Sequence, residues 1–254
     1  MSELVLKNVT KRYGETVVLE RLNLTLKSGE FCAVVGASGA GKSTFLKLLL
    51  SELQPSEGTI FLGGRPLPSE PGPERGVVYQ RYSVFPHLTV LDNVRFGLER
   101  THGDLLFGRT WGARRRALRE EAAALVEAVG LSAAQDRFPG ALSGGMQQRL
   151  ALAQTLALKP ELLLLDEPFG ALDPGNKKAA HELLQTLWRD RGMTVVMVTH
   201  DLSEAFTLAG RVLVLDKTRE DPHNPERYGA SLTYDIPVDN GLPPREPASR
   251  ELSA

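Results

Sequence analysis

Residues 36–43 have the composition and spacing of a phosphate-binding loop. They fit the pattern G-x-x-x-x-G-K-[ST], preceded by an apolar run that predicts a buried strand and followed by a segment with helical periodicity. Glycines let the backbone approach phosphate oxygens closely, and the N-terminus of the following helix adds a partial positive charge. The candidate phosphate-binding residues are Gly36, Ala37, Ser38, Gly39, Ala40, Gly41, Lys42, Ser43 and Thr44.

The polar residues that end this loop each have a predicted task. Lys42 is expected to reach the β- and γ-phosphates of a nucleotide, and the Ser43 hydroxyl to ligate Mg²⁺. Thr44 follows and can support the α-phosphate. A glycine loop of purely structural use is the alternative, and the strand–loop–helix context argues against it.

Two adjacent carboxylates follow a second apolar run. Four leucines, 162–165, precede Asp166 and Glu167, so both carboxylates are expected at the carboxyl edge of a sheet, where open α/β sheets bind ligands. We predict that Asp166 holds the Mg²⁺ shell and that Glu167 polarises the attacking water. Alone this pair would be weak evidence, but behind a buried strand and after a phosphate loop it is strong.

A second glycine-rich stretch lies at Leu142–Met146 and contains Ser143, Gly144 and Gly145. Its backbone N–H groups could also bind phosphate, although a nucleotide needs only one such loop within a chain. Coincidence is therefore a poor explanation for two such stretches in one chain.

The remaining pattern predicts an α/β fold with a mostly parallel sheet. Short, nearly continuous apolar runs are typical of strands buried on both faces, whereas the imperfect alternation near the N-terminus indicates further sheet strands. Helical periodicity covers Ser43–Ser51 and Asn176–Arg191, and an Ala/Arg/Glu-rich helical segment covers Ala113–Val129. The predicted buried strands are Phe31–Val35, Gly76–Tyr79, Leu162–Leu165 and Met193–Thr199, and the N-terminal ones are Leu4–Val9 and Leu19–Leu26.

Composition narrows the function classes. The 30 Lys+Arg nearly balance the 31 Asp+Glu, so no overall charge excess indicates binding to nucleic acid, and none is expected as a partner. Cys32 is the only cysteine and can form no internal disulfide, which suits a reducing compartment and a structural role. No apolar stretch is long enough to span a bilayer, and the first residues lack signal-peptide order. We therefore expect a cytoplasmic protein.

Taken in order, these motifs resemble the nucleotide-binding subunit of an ATP-binding cassette (ABC) transporter, over about Leu4 to Leu215. Met146 stands where glutamine is commoner at the end of the family signature. The matching residues are Tyr13 for the aromatic that stacks on adenine, 36–43 for the Walker A loop, Gln80 for the Q-loop, Leu142–Met146 for the signature, Leu162–Glu167 for Walker B, Ala171–Asp173 for the D-loop and His200 for the switch histidine.

The resemblance implies a RecA-like P-loop core with an N-terminal antiparallel β subdomain and an inserted helical subdomain. It also implies ATP and Mg²⁺ as ligands, with Gln80 joining Ser43 and Asp166 at the metal and Asp173 near the nucleotide. His200 and Gln80 each follow a predicted strand, which supports their place at the same sheet edge. A capping or core role for His200, and ordinary packing for Tyr13, are the alternatives.

The expected assembly is a head-to-tail dimer of cassettes, homodimeric or heterodimeric, with each ATP between the Walker A loop of one copy and the signature of the other. Separate transmembrane permease subunits would hold the dimer at the inner face of the cell membrane. The resemblance is strongest to bacterial small-solute importers, which implies a solute-binding protein as a further partner. An exporter subunit, a soluble non-transport ABC ATPase and a module that holds ATP without hydrolysing it are the competing functions.

The predicted domains are a nucleotide-binding core of residues 1–86 and 150–216, a helical subdomain of residues 87–149 with the signature, and an extension of residues 217–254. The aromatic segment Arg81–His87 is the candidate docking surface for a membrane subunit, whereas Pro71-Gly72-Pro73 indicates only a surface loop. The arginines 114–116 favour a solvated helix face over an acidic partner. Tyr228–Val238 predicts one strand or hairpin, and Pro243–Ala254 predicts a disordered end that is dispensable for hydrolysis.

Overall fold

A computed structural model describes residues 2–80, 83–101, 113–170, 172–219, 221–224 and 226–239. Within these residues the chain forms ten β-strands and six α-helices. The strands are β1 Leu4–Tyr13, β2 Thr16–Leu26, β3 Phe31–Val35, β4 Glu57–Leu62, β5 Arg65–Pro66, β6 Arg75–Val78, β7 Leu162–Asp166, β8 Thr194–Val198, β9 Arg211–Asp216 and β10 Ser231–Pro237. The helices are α1 Lys42–Leu49, α2 Val90–Thr101, α3 Ala113–Ala128, α4 Gly144–Leu156, α5 Pro174–Arg191 and α6 Leu202–Leu208.

The larger sheet has six strands in the order β10-β9-β3-β8-β7-β6. Four of its five strand pairings are parallel, and they join β3 to β8 and β9 and join β7 to β6 and β8. Every residue of β3 and β8 is buried, because packed elements cover both faces of the sheet, and this explains their uninterrupted apolar sequences. The four predicted buried strands are confirmed to within one residue at each end.

The smaller sheet is antiparallel, with the order β2-β1-β4-β5. Leu4 pairs with Leu26 on one side and with Leu62 on the other. The two predicted N-terminal strands are confirmed and extend to meet at a turn containing Gly14, whose φ of 58° is left-handed. The antiparallel subdomain implied by the family resemblance is thus present.

The larger sheet divides the interior into two apolar clusters. Phe31, Ala33 and Val35 of β3 contribute to the cluster that includes helices α2 to α5, whereas Cys32 and Val34 point into the cluster shared with α1 and the smaller sheet. This alternation follows from the period of two along a strand. Cys32 is fully buried, and burial raises the pKa of its thiol, in agreement with a structural role.

Helix α4 connects the helical region to the larger sheet. It begins at Gly144, within the signature, and ends at Leu156. Near its end, the Thr155 hydroxyl donates to the carbonyl oxygen of Val77 in β6 at 3.1 Å. The predicted helix at residues 113–129 is confirmed as α3, and its arginines 114–116 are exposed.

The C-terminal strand β10 closes one edge of the larger sheet by pairing antiparallel with β9. Arg211 binds it with two hydrogen bonds of 2.7 Å to the carboxylate of Asp235, while also donating to the Thr25 carbonyl and to Glu30. One strand, and no hairpin, therefore forms within the predicted segment Tyr228–Val238. The predictions for Pro243–Ala254 lie outside the described residues. No helix in the described part of the chain combines the length and apolar character needed to cross a bilayer.

Candidate functional site

The phosphate loop joins the end of β3 to the start of α1. Gly41 is the N-cap of α1 with a left-handed φ of 86°, a conformation that a residue with a side chain rarely adopts. Gly36 is required for a different reason, because a Cβ there would lie 2.2 Å from the carbonyl oxygen of Leu215 in β9. The loop is thus held against the sheet at one end and turned into the helix at the other.

Lys42 supplies positive charge inside this loop. Its ammonium donates to the carbonyl oxygens of Gly36 at 2.7 Å and Ala37 at 2.9 Å, and the residue is 9% exposed. The first turn of α1 contains no acidic residue that would offset the helix dipole. Ser43 is exposed at the helix start, and Thr44 is half-buried beside it. The loop and helix therefore form a site suited to anions.

Asp166 ends β7, at the carboxyl edge of the parallel strands. Its partial burial, together with the neighbouring charge of Glu167, raises the pKa of Asp166, while the cations of Lys42 and Lys47 oppose the shift. The carboxyl group therefore lies within electrostatic reach of the phosphate-loop lysine. A cation bound here would stabilise the ionised form of Asp166.

Glu167 has an unusual backbone conformation. Its φ of 45° is left-handed, while its N–H donates to the carbonyl oxygen of Val198 in β8 at 2.9 Å. Strained conformations of this kind are held by surrounding bonds and often occur at functional sites. The turn brings the Glu167 carboxylate to His200, whose Nδ1 lies 3.1 Å from Oε1.

Gln80 approaches the same edge from β6. A Cβ built on Gly170 would lie 3.6 Å from Gln80 Nε2 and 4.0 Å from Glu167 Oε2, so both side chains lie next to the Gly170 backbone. The imidazole of His200 is 66% exposed, so His200 is not the core histidine that was one alternative to a functional role. The structure thus brings Asp166, Glu167, His200 and Gln80 to the edge that the strand ends predict.

The signature residues lie at the start of α4. Ser143 is the N-cap of α4, where its hydroxyl accepts from the Met146 N–H at 3.3 Å, and a Cβ on Gly144 would have no atom within 4 Å. Across the described residues, no hydrogen bond joins Ser143, Gly144 or Gly145 to the phosphate loop.

Two other predicted site residues lie at the end of β1 and at the start of α5. Tyr13 is 47% exposed at the end of β1, with the ammonium of Lys11 5.3 Å from its ring centroid. Asp173 is the N-cap of α5, accepting from the backbone N–H of Asn176 at 3.1 Å and from its side chain at 2.6 Å. These bonds from Asn176 lower the pKa of Asp173. Ala171 of the predicted D-loop lies outside the described residues.

Sequence reasoning missed a polar network beside His200. Lys177 of α5 contacts Asp201 and Glu204, and Glu204 in turn accepts from the hydroxyl of Thr199. Asp201 caps α6 by accepting from the N–H groups of Ser203 and Glu204. The capping pattern D-x-x-E was readable in the sequence, but nothing in it indicated the contact with Lys177.

Comparison with known proteins assigns the family. Residues 19–170 match the family described as ABC transporter. The bicarbonate transport ATP-binding protein CmpD of Synechocystis sp. is 42% identical over 216 residues, covering 84% of this chain and 73% of CmpD. The nitrate import ATP-binding protein NrtD of Synechocystis sp. is 40% identical over 230 residues, covering 91% of this chain and 80% of NrtD.

A solved structure agrees with these relatives. The dimeric post-hydrolysis state of the ATP-binding cassette MJ0796, bound to ADP and Pi, is 29% identical, with a TM-score of 0.72 and coverage of 93% of this chain and 99% of that one. The chain belongs to the ABC transporter family. The predicted fold class and the prediction of an ATP-hydrolysing cassette coupled to transport are confirmed.

Proposed function

We propose that this chain hydrolyses ATP in a head-to-tail dimer and thereby powers import of a small solute through separate transmembrane subunits. The observation that carries the hydrolysis is the Glu167–His200 contact of 3.1 Å at the sheet edge beside the Lys42 loop. Import is supported by the relatives, which are named for bicarbonate transport and nitrate import. Both names point to small inorganic anions as the solutes to test first.

The residues at the carboxyl edge of the larger sheet have separate roles in the reaction. Residues 36–44 bind the phosphates through backbone N–H groups and the Lys42 ammonium, while Tyr13 stacks on adenine. A water attacks the γ-phosphorus, its proton passes to the Glu167 carboxylate, and the bond to the β-phosphate oxygen breaks to give ADP and phosphate. His200 orients Glu167 through Nδ1 and contacts the γ-phosphate. Gln80, which like Glu167 lies next to the Gly170 backbone, contributes to the same site.

The donor set at this edge fits Mg²⁺. Asp166 offers a carboxylate whose ionised form a nearby cation would stabilise, and Ser43 and Gln80 offer hydroxyl and amide oxygens, the hard ligands that Mg²⁺ prefers. In the described part of the chain, no group of three or more His, Cys, Asp and Glu side chains could hold a metal, so phosphate oxygens and water must complete the shell. When bound, Mg²⁺ neutralises charge that develops on the phosphates.

The proposed dimer gives each of the two glycine stretches a nucleotide site. In the described residues no hydrogen bond joins Ser143–Gly145 to the chain's own phosphate loop, and we infer that they complete the site of a second cassette, as the dimeric MJ0796 cassette supports. Asp173, at the start of α5, contributes from the same side. Binding of ATP closes the dimer and hydrolysis opens it, because only the intact triphosphate bridges the two surfaces.

The docking surface for a membrane subunit is best supported at residues 83–87. Phe85 packs edge-on against Phe96, with ring centroids 4.8 Å apart, beside a surface cavity of about 340 Å³. Pro71 and Pro73 also line this cavity, and we include this surface loop in the proposed docking surface. Arg81 and Tyr82 of the predicted segment lie outside the described residues.

Two substitutions test the hydrolytic roles. Glu167→Gln preserves size and the contact with His200 but cannot take a proton, so we expect kcat to fall by about 10²–10⁴-fold with ATP binding retained. Lys42→Ala removes a phosphate contact and should weaken ATP binding as well. Turnover and nucleotide affinity are measured on the purified full chain. Near-normal turnover by Glu167→Gln would exclude it as the base.

The dimer is tested in the Glu167→Gln background by sedimentation with and without ATP. We expect a dimer only with ATP, and a monomer once Gly144→Asp is added, because the carboxylate repels the partner's phosphate. The space around Gly144 accommodates a Cβ, so this variant should keep the fold and stability of its parent. A dimer that forms regardless of nucleotide and of Gly144 would contradict the shared site.

A further inference from the structure

A charged network joins α5 to the turn that carries His200. The ammonium of Lys177 lies 3.2 Å from Asp201 Oδ2 and 2.5 Å from Glu204 Oε1. The second oxygen of Glu204 accepts from the Thr199 hydroxyl at 2.9 Å, and the same hydroxyl accepts from the Asp201 N–H at 3.0 Å. Thr199 and Asp201 are the two neighbours of His200 along the chain, so the network holds both sides of the switch residue.

The charges make Lys177 necessary to this arrangement. The Glu204 side chain is only 5% exposed, and a buried carboxylate is costly unless it is paired and hydrogen-bonded. His181, one turn further along α5, does not provide the charge, because burial lowers the pKa of its imidazole and favours the neutral form. The hydrogen bond to Glu204 and that to Asp201 raise the pKa of Lys177, which keeps the ammonium charged.

Lys177 also connects the turn to the start of α5. Its N–H donates to the carbonyl oxygen of Asp173 at 2.9 Å, and Asp173 caps the helix. On the other side, the Thr199 N–H donates to the carbonyl of Val34 in β3 at 3.2 Å, which fixes the turn to the strand before the phosphate loop. One side chain thus connects the N-terminus of α5 to the residues that flank His200.

We propose that Lys177 is a positioning residue, which holds His200 against Glu167 and couples the N-terminus of α5 to the hydrolytic site. This inference rests on the proposed function of Glu167 and His200. Lys177 itself contacts neither residue. Its substitution should therefore lower turnover more than it lowers ATP affinity, because the phosphate loop is built from other residues.

The test compares Lys177→Met with Lys177→Arg and with Lys178→Met in the full chain. Lys178 is the next residue of α5 and is exposed, so Lys178→Met controls for the loss of a lysine from this helix. We expect Lys177→Met to lower kcat about tenfold with KM for ATP changed less than about threefold, and Lys177→Arg to restore most of the turnover because it keeps the charge. A Lys177→Met enzyme with the kcat of Lys178→Met would overturn the proposal.

A double-mutant cycle with His200→Ala separates positioning from general damage. If Lys177 acts through His200, Lys177→Met should change kcat by less than about twofold when His200→Ala is already present. Multiplying effects would refute the coupling while leaving the role of His200 intact. Conversely, wild-type turnover in His200→Ala alone would reject the proposed role of His200 and with it any action of Lys177 through that residue.

A combined variant tests the proposal even if Lys177→Met alone fails to fold. Lys177→Met leaves the Glu204 charge unpaired, whereas Lys177→Met combined with Glu204→Gln removes both charges and leaves an amide oxygen to accept from Thr199. We expect this double variant to fold with near-parental thermal stability and still to show the reduced kcat, because Asp201 no longer has the Lys177 ammonium beside it. Full turnover in a folded double variant would overturn the proposal.

Discussion

Replacing Arg75 by methionine tests whether a buried guanidinium fixes the end of the phosphate-loop helix. Its side chain is fully buried in β6 and donates to the carbonyl oxygens of Leu49 at 3.3 Å and Glu70 at 2.7 Å. It also donates to the Ser51 hydroxyl and, at 2.9 Å, to the Glu74 carboxylate. Leu49 is the last residue of α1, so Arg75 satisfies a carbonyl that the helix leaves without a partner.

The structure sets the size of the effect. Removing one member of a buried ion pair costs about 3–5 kcal/mol of the free energy of unfolding. Glu74 is 30% exposed and stays partly hydrated, which places the expected loss near the lower end, at roughly 3 kcal/mol. Methionine replaces much of the aliphatic stem, so a cavity adds little.

Urea unfolding measures this loss, with Arg116→Met as the matched control. Arg116 makes an i,i+4 pair with Glu120 in which both side chains are mostly exposed, and such a pair contributes no more than about 0.5 kcal/mol. Arg75→Lys should be intermediate, because one ammonium cannot reach all four acceptors. If Arg75→Met and Arg116→Met unfold at the same urea concentration with the same m-value, the reasoning about burial is wrong.

The same unfolding assay checks two further predictions. The hydrogen bonds from Arg211 lower the pKa of Asp235, so the contribution of this carboxylate to stability is present above the ordinary aspartate pKa and is lost as pH falls through the lowered value. Because the carboxylate is half-exposed, Asp235→Asn should cost up to about 1 kcal/mol of the free energy of unfolding at pH 7 and progressively less below about pH 4. A difference that does not change with pH would contradict this. Gly36→Ala should cost about 2 kcal/mol or more, because its Cβ would meet the Leu215 carbonyl oxygen at 2.2 Å. Gly210→Ala, whose Cβ would meet nothing within 4 Å, should change stability by less than about 0.5 kcal/mol, and equal losses would refute the steric argument.

The sequence was sufficient for the elements that carry the site. Strands buried on both faces leave uninterrupted apolar runs, and β3, β7 and β8 were readable for that reason. Because the carboxyl ends of parallel strands share one edge, the meeting of Glu167 with His200 also followed from the strand ends. The left-handed backbone of Glu167 could not be predicted, because no local sequence pattern indicates a glutamate held at positive φ by a neighbouring strand.

Long-range polar contacts were beyond the sequence. Lys177 and Asp201 are 24 residues apart, and their contact depends on how α5 packs beside α6 and on the lysine rotamer. Periodicity predicts the buried face of a helix but not the partner of a half-exposed cation. Arg75 shows the same limit. It directly precedes the predicted strand at Gly76, and its burial depends in part on two acceptors, the Leu49 carbonyl and the Ser51 hydroxyl, which lie 26 and 24 residues away in the sequence.

Helix α4 sets an angular tolerance on cooperation between cassettes. Its far end is fixed to β6 by the Thr155–Val77 hydrogen bond, and Ser143 caps the other end. The two residues are separated by roughly 18 Å along the axis, so a tilt of about 10° about Thr155 displaces Ser143 by about 3 Å. A hydrogen bond to phosphate tolerates only about 0.3 Å, which corresponds to a tilt of roughly 1°. In the proposed dimer, the nucleotide bound to a second cassette would therefore respond to the orientation of β6 through α4, because a tilt of about 1° would be enough to make or break its hydrogen bond to the signature.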